Sequence, residues 1–348
     1  MILTMKKNIR DLSLEELEKE LVRMGEPPHR GRQIFTWLYS KNARGFSGMT
    51  DLPKGLAARL DERFTAGALS LVKRLRANDG TEKSLYELPD GGRIESVLIR
   101  SGRRATVCVS TQVGCRFACP FCASGMKGFT RNLTAGEIIE QVLLAGDAAG
   151  SRVNNVVFMG MGEPLDNYDN LERAIRTIND ARGVNIGARK ITVSTCGIVP
   201  GILRLKDLGL QVELSVSLHA ADNALRNELV PVNRKYPLED LVEALEQYRQ
   251  ATGRVVTLEY TLMKDKNDSL KDADKLAKIA KSLKAKVNLI PCNELAELAF
   301  GRTGKKRTGL FRGRLLSKGV TATVRITKGR DIQAACGQLA AGPEGHEV

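Results

Sequence analysis

Cys115, Cys119 and Cys122 follow one another in a C-x3-C-x2-C spacing on a short stretch bounded by Gly114 and Gly125. Thiolates this close in sequence converge readily on one metal centre. A structural zinc site closes with four Cys or His ligands. No fourth follows nearby, the three histidines being His29, His219 and His346. An iron–sulfur cube also takes four ligands, so three cysteines leave one iron open to chelate a small molecule and pass it an electron. Zinc is the alternative reading of the same residues, and chance proximity of buried thiols the third.

Gly162-Glu163-Pro164 follows one expected strand later. A carboxylate and glycine-exposed carbonyls are the acceptors an ammonium group needs, although the tripeptide alone is also a plain turn. Three further residues carry chemistry less openly. Glu95 shares a strand face with Val97 and Ile99, an inward carboxylate whose burial would raise its pKa toward that of a general base; a salt-bridged surface glutamate fits the pattern equally. Cys108 alternates with Thr106 and Ser110 against Val107 and Val109, which places it on a polar, accessible face. Cys336, on the small-residue stretch Ala334-Ala335-Cys336-Gly337, can be approached closely; as isolated cysteines, both also fit as inert small apolar residues.

The elements that must position these groups change character along the chain. Residues 1–70 read as a helical accessory domain: Ser13 and Glu16 form a capping-box pattern ahead of Leu17 and Leu21, and Asp51-Leu52-Pro53 reads as the start of a third helix, with Asp as cap. Residues 71–110 switch to period two and read as a β-meander. From 111 to 340, β-branched strands near Asn155–Met159, Lys190–Thr195, Val212–Leu218, Val255–Leu262, Val287–Ile290 and Thr321–Ile326 alternate with helical periods. That is the pattern of an α/β protein with a partial or full (β/α) barrel. Barrel chemistry collects at the carboxyl ends of the strands, here Gly160–Pro164, Ser194–Cys196, Ser217–His219 and Pro291–Asn293. Residues 341–348 read as a mobile tail.

Composition narrows the partners. With 348 residues there is ample chain for a core, no apolar run approaches a membrane span, and the start lacks a secretory pattern, so a cytoplasmic protein is expected. Seven cysteines are too few and odd in number for a disulfide framework. Lys and Arg number 54 against 40 Asp and Glu, a net +14. Ten of the basic residues lie between Ala299 and Arg330 and six between Ser96 and Gly136, both stretches free of acids. A polyphosphate partner follows from that clustering, with a solvated basic face as the plainer reading.

The cysteine triad followed by Gly162-Glu163-Pro164 resembles the radical S-adenosylmethionine (SAM) superfamily. The blocks around Gln112–Cys122, Arg131–Glu137, Phe158–Leu165, Ser217–His219 and Ala335–Leu339 resemble the RlmN/Cfr family of adenosine methyltransferases acting on ribosomal RNA, over roughly residues 20–340. The resemblance implies a radical SAM barrel with a [4Fe-4S] cluster on Cys115, Cys119 and Cys122. It implies SAM contacts at Gly162, Glu163, Ser194, Ser217, Leu218, His219 and Asn293. It further implies that Cys336 becomes a methylated carrier, that Cys108 resolves the RNA adduct through a disulfide with Cys336, and that Glu95 is the base. Adenine C2 cannot attack a sulfonium methyl, which is why a radical route is needed. The expected target is a looped adenosine of 23S rRNA, with the tRNA adenosine 3′ of the anticodon as a second candidate. A flavodoxin- or ferredoxin-like electron donor and a monomeric state are expected. Two rival readings are a Cfr-like C8 methyltransferase and a non-catalytic iron–sulfur or zinc RNA-binding assembly factor. This sequence departs from the family pattern at Cys196, Cys292 and the unusually basic segment 299–314.

Overall fold

The computed structural model describes residues 6–293 and 300–339; the expected tail 341–348, and Ala299 at the head of the basic segment, lie outside them. The chain opens with β1 (Lys7–Asn8), α1 (Leu14–Arg23), α2 (His29–Tyr39), α3 (Lys54–Arg63) and β2 (Phe64–Thr65). Ser13 and Glu16 close the anticipated capping box, each side chain bonded to the other's backbone. Asp51 does not cap α3. The helix starts behind Pro53, and the Asp51 carboxylate instead accepts from Trp37 Nε1.

Four antiparallel strands follow: β3 (Ser70–Arg76), β4 (Glu82–Glu87), β5 (Arg93–Ser101) and β6 (Arg104–Cys108). The chain then makes a small hairpin of β7 (Gln112–Gly114) and β8 (Phe129–Asn132), with the short α4 (Ala123–Met126) between them. Regular alternation begins at α5 (Ala135–Ala149) and β9 (Asn155–Phe158), then α6 (Tyr168–Asn179), β10 (Ile191–Thr195), α7 (Val199–Lys206) and β11 (Glu213–Ser217). It continues with α8 (Asn223–Leu229), α9 (Leu238–Thr252), β12 (Thr257–Leu262), α10 (Leu270–Ser282), β13 (Lys286–Pro291), α11 (Lys305–Ser317) and β14 (Ala322–Val324).

All the larger strands form one sheet in the order β14-β13-β12-β11-β10-β9-β6-β5-β4-β3. From β6 to β14 the pairing is parallel, so β6, the last strand of the meander, is also the first strand of a partial barrel. Among the described residues β3 and β14 do not pair, and the barrel stays open. Its two faces differ. One carries Val156, Val193, Leu214, Leu258 and Leu289, all at most 1% exposed. The other carries Ser194, Ser215, Ser217, Glu259 and Asn288, as the alternation of strand side chains requires. No helix among the described residues is long and apolar enough to cross a membrane.

A segment we call the strap, residues 325–339, spans the open side. The Arg325 N–H bonds Leu289 O at the barrel edge (2.8 Å), and the Gly329 N–H bonds Asp79 Oδ2 in the β3–β4 turn (3.1 Å). Gly329 has φ +61°, and a Cβ there would sit 2.8 Å from both Ala334 and Thr81, so only glycine passes without displacement.

The helical N-terminal part docks on α5 through a buried polar seam. Arg10, 1% exposed, donates to Ala66 O, Leu38 O and Ala43 O. Glu140 of α5 accepts from the Ala68 and Leu69 amides and faces Arg44.

Candidate active site

A cavity opens at the carboxyl ends of the parallel strands, as barrel architecture dictates. Cys115, Cys119, Cys122, Gly162, Glu163, Ser194, Ser217, His219, Asn293 and Cys336 all line it. Ten of the thirteen residues singled out in the sequence thus meet at one place. Leu218 does not line it: its side chain is in the hydrophobic core, its N–H bonds Glu259 O and its carbonyl accepts from Arg226. Glu95 and Cys108, on β5 and β6, do not line it either.

The three thiols sit on the loop of the β7–β8 hairpin. Gly114, at φ +76°, starts it, and a Cβ there would lie 1.9 Å from Gly128 O, so this turn excludes every side chain. The Cys115 N–H bonds Gly128 O (2.8 Å) and the Cys122 N–H bonds Cys119 O (3.0 Å). Burial pushes all three thiols up, Cys115 to about 12, with the neighbouring thiols adding to the effect. A nearby cation reverses that balance, because a coordinated thiol is deprotonated outright. Three thiols on one short loop, all lining the cavity, can each bind a different iron of a cube. The donor set fits an iron–sulfur cube better than zinc.

Opposite this loop lies an acceptor shelf. Gly162, at φ +92°, leaves no room for a Cβ, which would meet the Gln112 side chain at 2.5 Å. Glu163 is fully enclosed; its Oε2 accepts from the Cys196 N–H (2.7 Å), its Oε1 from the Leu165 N–H (3.1 Å), and its own N–H bonds Gln112 Oε1 (2.8 Å). Burial raises its pKa and those bonds counter it. A ligand ammonium would supply the missing positive charge.

His219 takes φ +57°, unusual for a non-glycine residue. Its Nδ1 accepts from the Thr261 N–H (3.0 Å), its carbonyl accepts from Asn267, and Phe121 meets the ring edge-on at 4.9 Å. Burial, helped by the Arg226 charge, lowers its pKa to about 3. The imidazole is therefore neutral, and the Nδ1 bond puts its proton on Nε2. Arg226, 0% exposed, ties the strand ends together by donating to Cys196 O, Leu218 O and Asn233 Oδ1.

Cys108 departs from expectation. It is 7% exposed, not on an accessible face, because the polar face of β6 is the one the sheet turns inward. Burial, with the nearby Cys336 thiol, pushes it up to about 12, while the Arg325 guanidinium opposes the shift. Glu95 is buried as expected, yet its environment is not simply apolar: Lys83 Nζ lies 2.9 Å from its Oε1.

Cys336 is carried by the strap, which is fastened on several sides. The Ala123 N–H bonds Gly337 O (2.8 Å) and Ser124 Oγ donates to Leu339 O (2.6 Å), fixing it to the thiol loop. Asn293 Nδ2 donates to Cys336 O (3.1 Å). Arg325 lies 3.9 Å from Glu259 and is held charged by the Cys336, Glu259 and Cys108 side chains. Lys83, Arg226, Glu259 and Arg325 were not singled out in the sequence. The one available signal was Glu259, an acid inside an otherwise uncharged strand.

Both the barrel and its thiol loop define a radical SAM enzyme, and residues 109–277 match the family model of the Radical SAM superfamily. Residues 7–65 match that of the Ribosomal RNA large subunit methyltransferase N-terminal domain. The protein of Thermotoga neapolitana named "Probable dual-specificity RNA methyltransferase RlmN" is 48% identical over 334 residues, 96% of this chain and 97% of that one. That of Halalkalibacterium halodurans is 47% identical over 96% of this chain and 93% of its own. The crystal structure of a radical SAM methyltransferase from Sphaerobacter thermophilus superposes with TM-score 0.93 at 47% identity, covering 97% of this chain and 100% of that chain. The chain belongs to the RlmN family, whose cofactors are a [4Fe-4S] cluster and SAM.

Proposed function

We propose that this enzyme methylates C2 of an adenosine in 23S rRNA and, as a second target, the tRNA adenosine 3′ of the anticodon. The observation that carries the reading is the fastening of Cys336, which joins the thiol loop, Asn293 and the neighbourhood of Cys108. The match to relatives named for dual specificity supports two RNA targets.

In this reading Cys115, Cys119 and Cys122 hold the cluster, and Gly162, Glu163, Ser194, Ser217, His219 and Asn293 hold SAM. Leu218 contributes as a backbone spacer between Ser217 and His219. When bound, cluster and SAM supply a methyl group and a one-electron route to a carbon-centred radical. The Glu163 carboxylate binds the SAM ammonium, and the neutral His219 can donate from Nε2 without adding charge beside a sulfonium. Cys336 Sγ carries the methyl carbon to the adenine. Glu95 takes the C2 proton, and the Cys108 thiolate attacks Cys336 Sγ; as the disulfide forms the S–CH2 bond breaks, and its electron pair takes up a proton to leave the methyl group on the freed base. Arg325 is the cation that favours the Cys108 thiolate when this attack occurs. The enzyme would act as a monomer in the cytoplasm, reduced by a flavodoxin- or ferredoxin-like carrier.

Target RNA deuterated separately at adenosine C2 and C8 tests the regiochemistry. C2 chemistry loses the C2 deuterium and keeps the one at C8; loss from C8 would move the protein to the Cfr-like reading. Formation of 5′-deoxyadenosine under reducing conditions separates an enzyme from an RNA-binding protein that merely carries metal.

A further inference from the structure

Among the described residues Lys83 is the one lysine that the fold buries, at 9% exposure. It stands on β4 in register with Val97 of β5, which is in register with Cys108 of β6. Paired residues in adjacent strands share a face, so Lys83, Val97 and Cys108 form one row across the sheet, with Glu95 two residues along on the same side. Lys83 Nζ contacts Glu95 Oε1 at 2.9 Å and donates to Gln333 O at 3.3 Å. Gln333 belongs to the strap, three residues before Cys336. One ammonium group therefore touches both the carboxylate and the segment that bears the carrier thiol.

A buried ion pair contributes little net stability over a well-packed apolar pair, which leaves its placement to be explained. An ammonium has three donors directed apart from one point. It can hold a carboxylate oxygen with one and a strap carbonyl with another. We propose that Lys83 is a positioning residue for proton removal, holding the Glu95 carboxylate in a fixed relation to the Cys336 strap so that base and carrier address the same adenine carbon. The inference rests on Glu95 being the base. In the step concerned, the C2–H bond of the Cys336-linked adenine breaks, the proton passes to a Glu95 oxygen, and the electron pair stays in the ring.

The test uses the reconstituted full-length enzyme with Lys83→Met, Lys83→Arg, Glu95→Gln and the Lys83→Met/Glu95→Gln double variant. Three quantities are read: methylation of Cys336 by protein mass, covalent RNA–protein adduct on a denaturing gel, and methyladenosine. Lys83→Met should methylate Cys336 as the wild type does, accumulate adduct, and form methyladenosine about 100-fold more slowly, the scale expected for a misplaced catalytic group. Lys83→Arg should recover most of that loss. The double variant should be no slower than Glu95→Gln alone, because residues acting as one unit are not additive. Wild-type turnover by Lys83→Met overturns the inference. So does equal loss of Cys336 methylation and product, which would make Lys83 only a brace for the strap. Normal turnover by Glu95→Gln removes the base reading itself, whereas a stalled Glu95→Gln beside a normal Lys83→Met removes only the role of Lys83.

Discussion

A thiol attacks sulfur as its thiolate, and burial works against that form at Cys108, pushing it up to about 12. Exposure would ease ionisation but let other thiols and oxidants compete for the same disulfide. The two outlying cysteines should consequently fail differently. Cys336→Ala should give neither methylated protein nor methylated RNA, whereas Cys108→Ala should leave a covalent RNA adduct; equal, adduct-free inactivity would contradict the assignment. Among the cluster thiols, Cys119→Ala should lower bound iron below the roughly four per chain that a cube contains, and zinc in place of iron after anaerobic reconstitution would sink the radical reading. His219 links the site to acid stability. Its folded pKa of about 3 lies below the unfolded value near 6.5. Between those values the unfolded chain binds a proton that the folded one does not, so stability falls as pH drops through that window, by up to about 1.4 kcal/mol per pH unit. Urea midpoints measured across it should decline less steeply in His219→Gln; an unchanged slope would show that another group governs acid unfolding.

Between elements, the seam under the N-terminal helices shows what polar burial does for docking. Arg10→Met would leave the carbonyls of Leu38, Ala43 and Ala66 without their shared donor and Glu140 with Arg44 as its one remaining close cation among the described residues. A loss of about 3–5 kcal/mol is expected, the usual result of breaking a buried charge cluster from one side. A calorimetric loss below ~1 kcal/mol would mean that water replaces the guanidinium at no cost. None of this seam was visible in the sequence, because nothing local marks Arg10 as different from the surface arginines. The strands and helices after Gly136 were legible, since β-branched runs and 3.6-residue periods reflect burial directly, and the Ser13 box and thiol loop are local chemistry. One misreading and one omission share a cause. Alternation along β6 showed that Cys108 faces away from Val107 but not which side is covered, and that side is decided by strands β9 to β14, far along the chain. The Lys83–Glu95 contact likewise requires the register of β4 on β5, and the contact from Lys83 to the strap requires the whole barrel.

Over the whole molecule, the acid-free runs of the sequence are not acid-free in space. Arg307 meets Asp268, Arg314 and Lys318 meet Asp274, Lys328 meets Asp79, and in the earlier run Arg131 meets Asp90 and Glu137. The charges left to meet phosphate are fewer than the count of basic residues implies. Lys305 and Lys306, exposed at the start of α11, should each lower the slope of log affinity against log salt by about 0.7–0.9 when changed to Gln, if each neutralises one phosphate. Arg307→Gln should change it less, because Asp268 already balances that charge; equal effects would show that RNA displaces the acid. The strap has a further consequence, set by the direction of synthesis. Asp79, Lys83, Ala123, Ser124, Leu289 and Asn293, to which it is fastened, all precede it in the chain. Domains fold largely from the amino end as they emerge from the ribosome. The thiol loop is therefore translated before the segment that will lie across it exists, and the carrier cysteine is the last of the named site residues to be made.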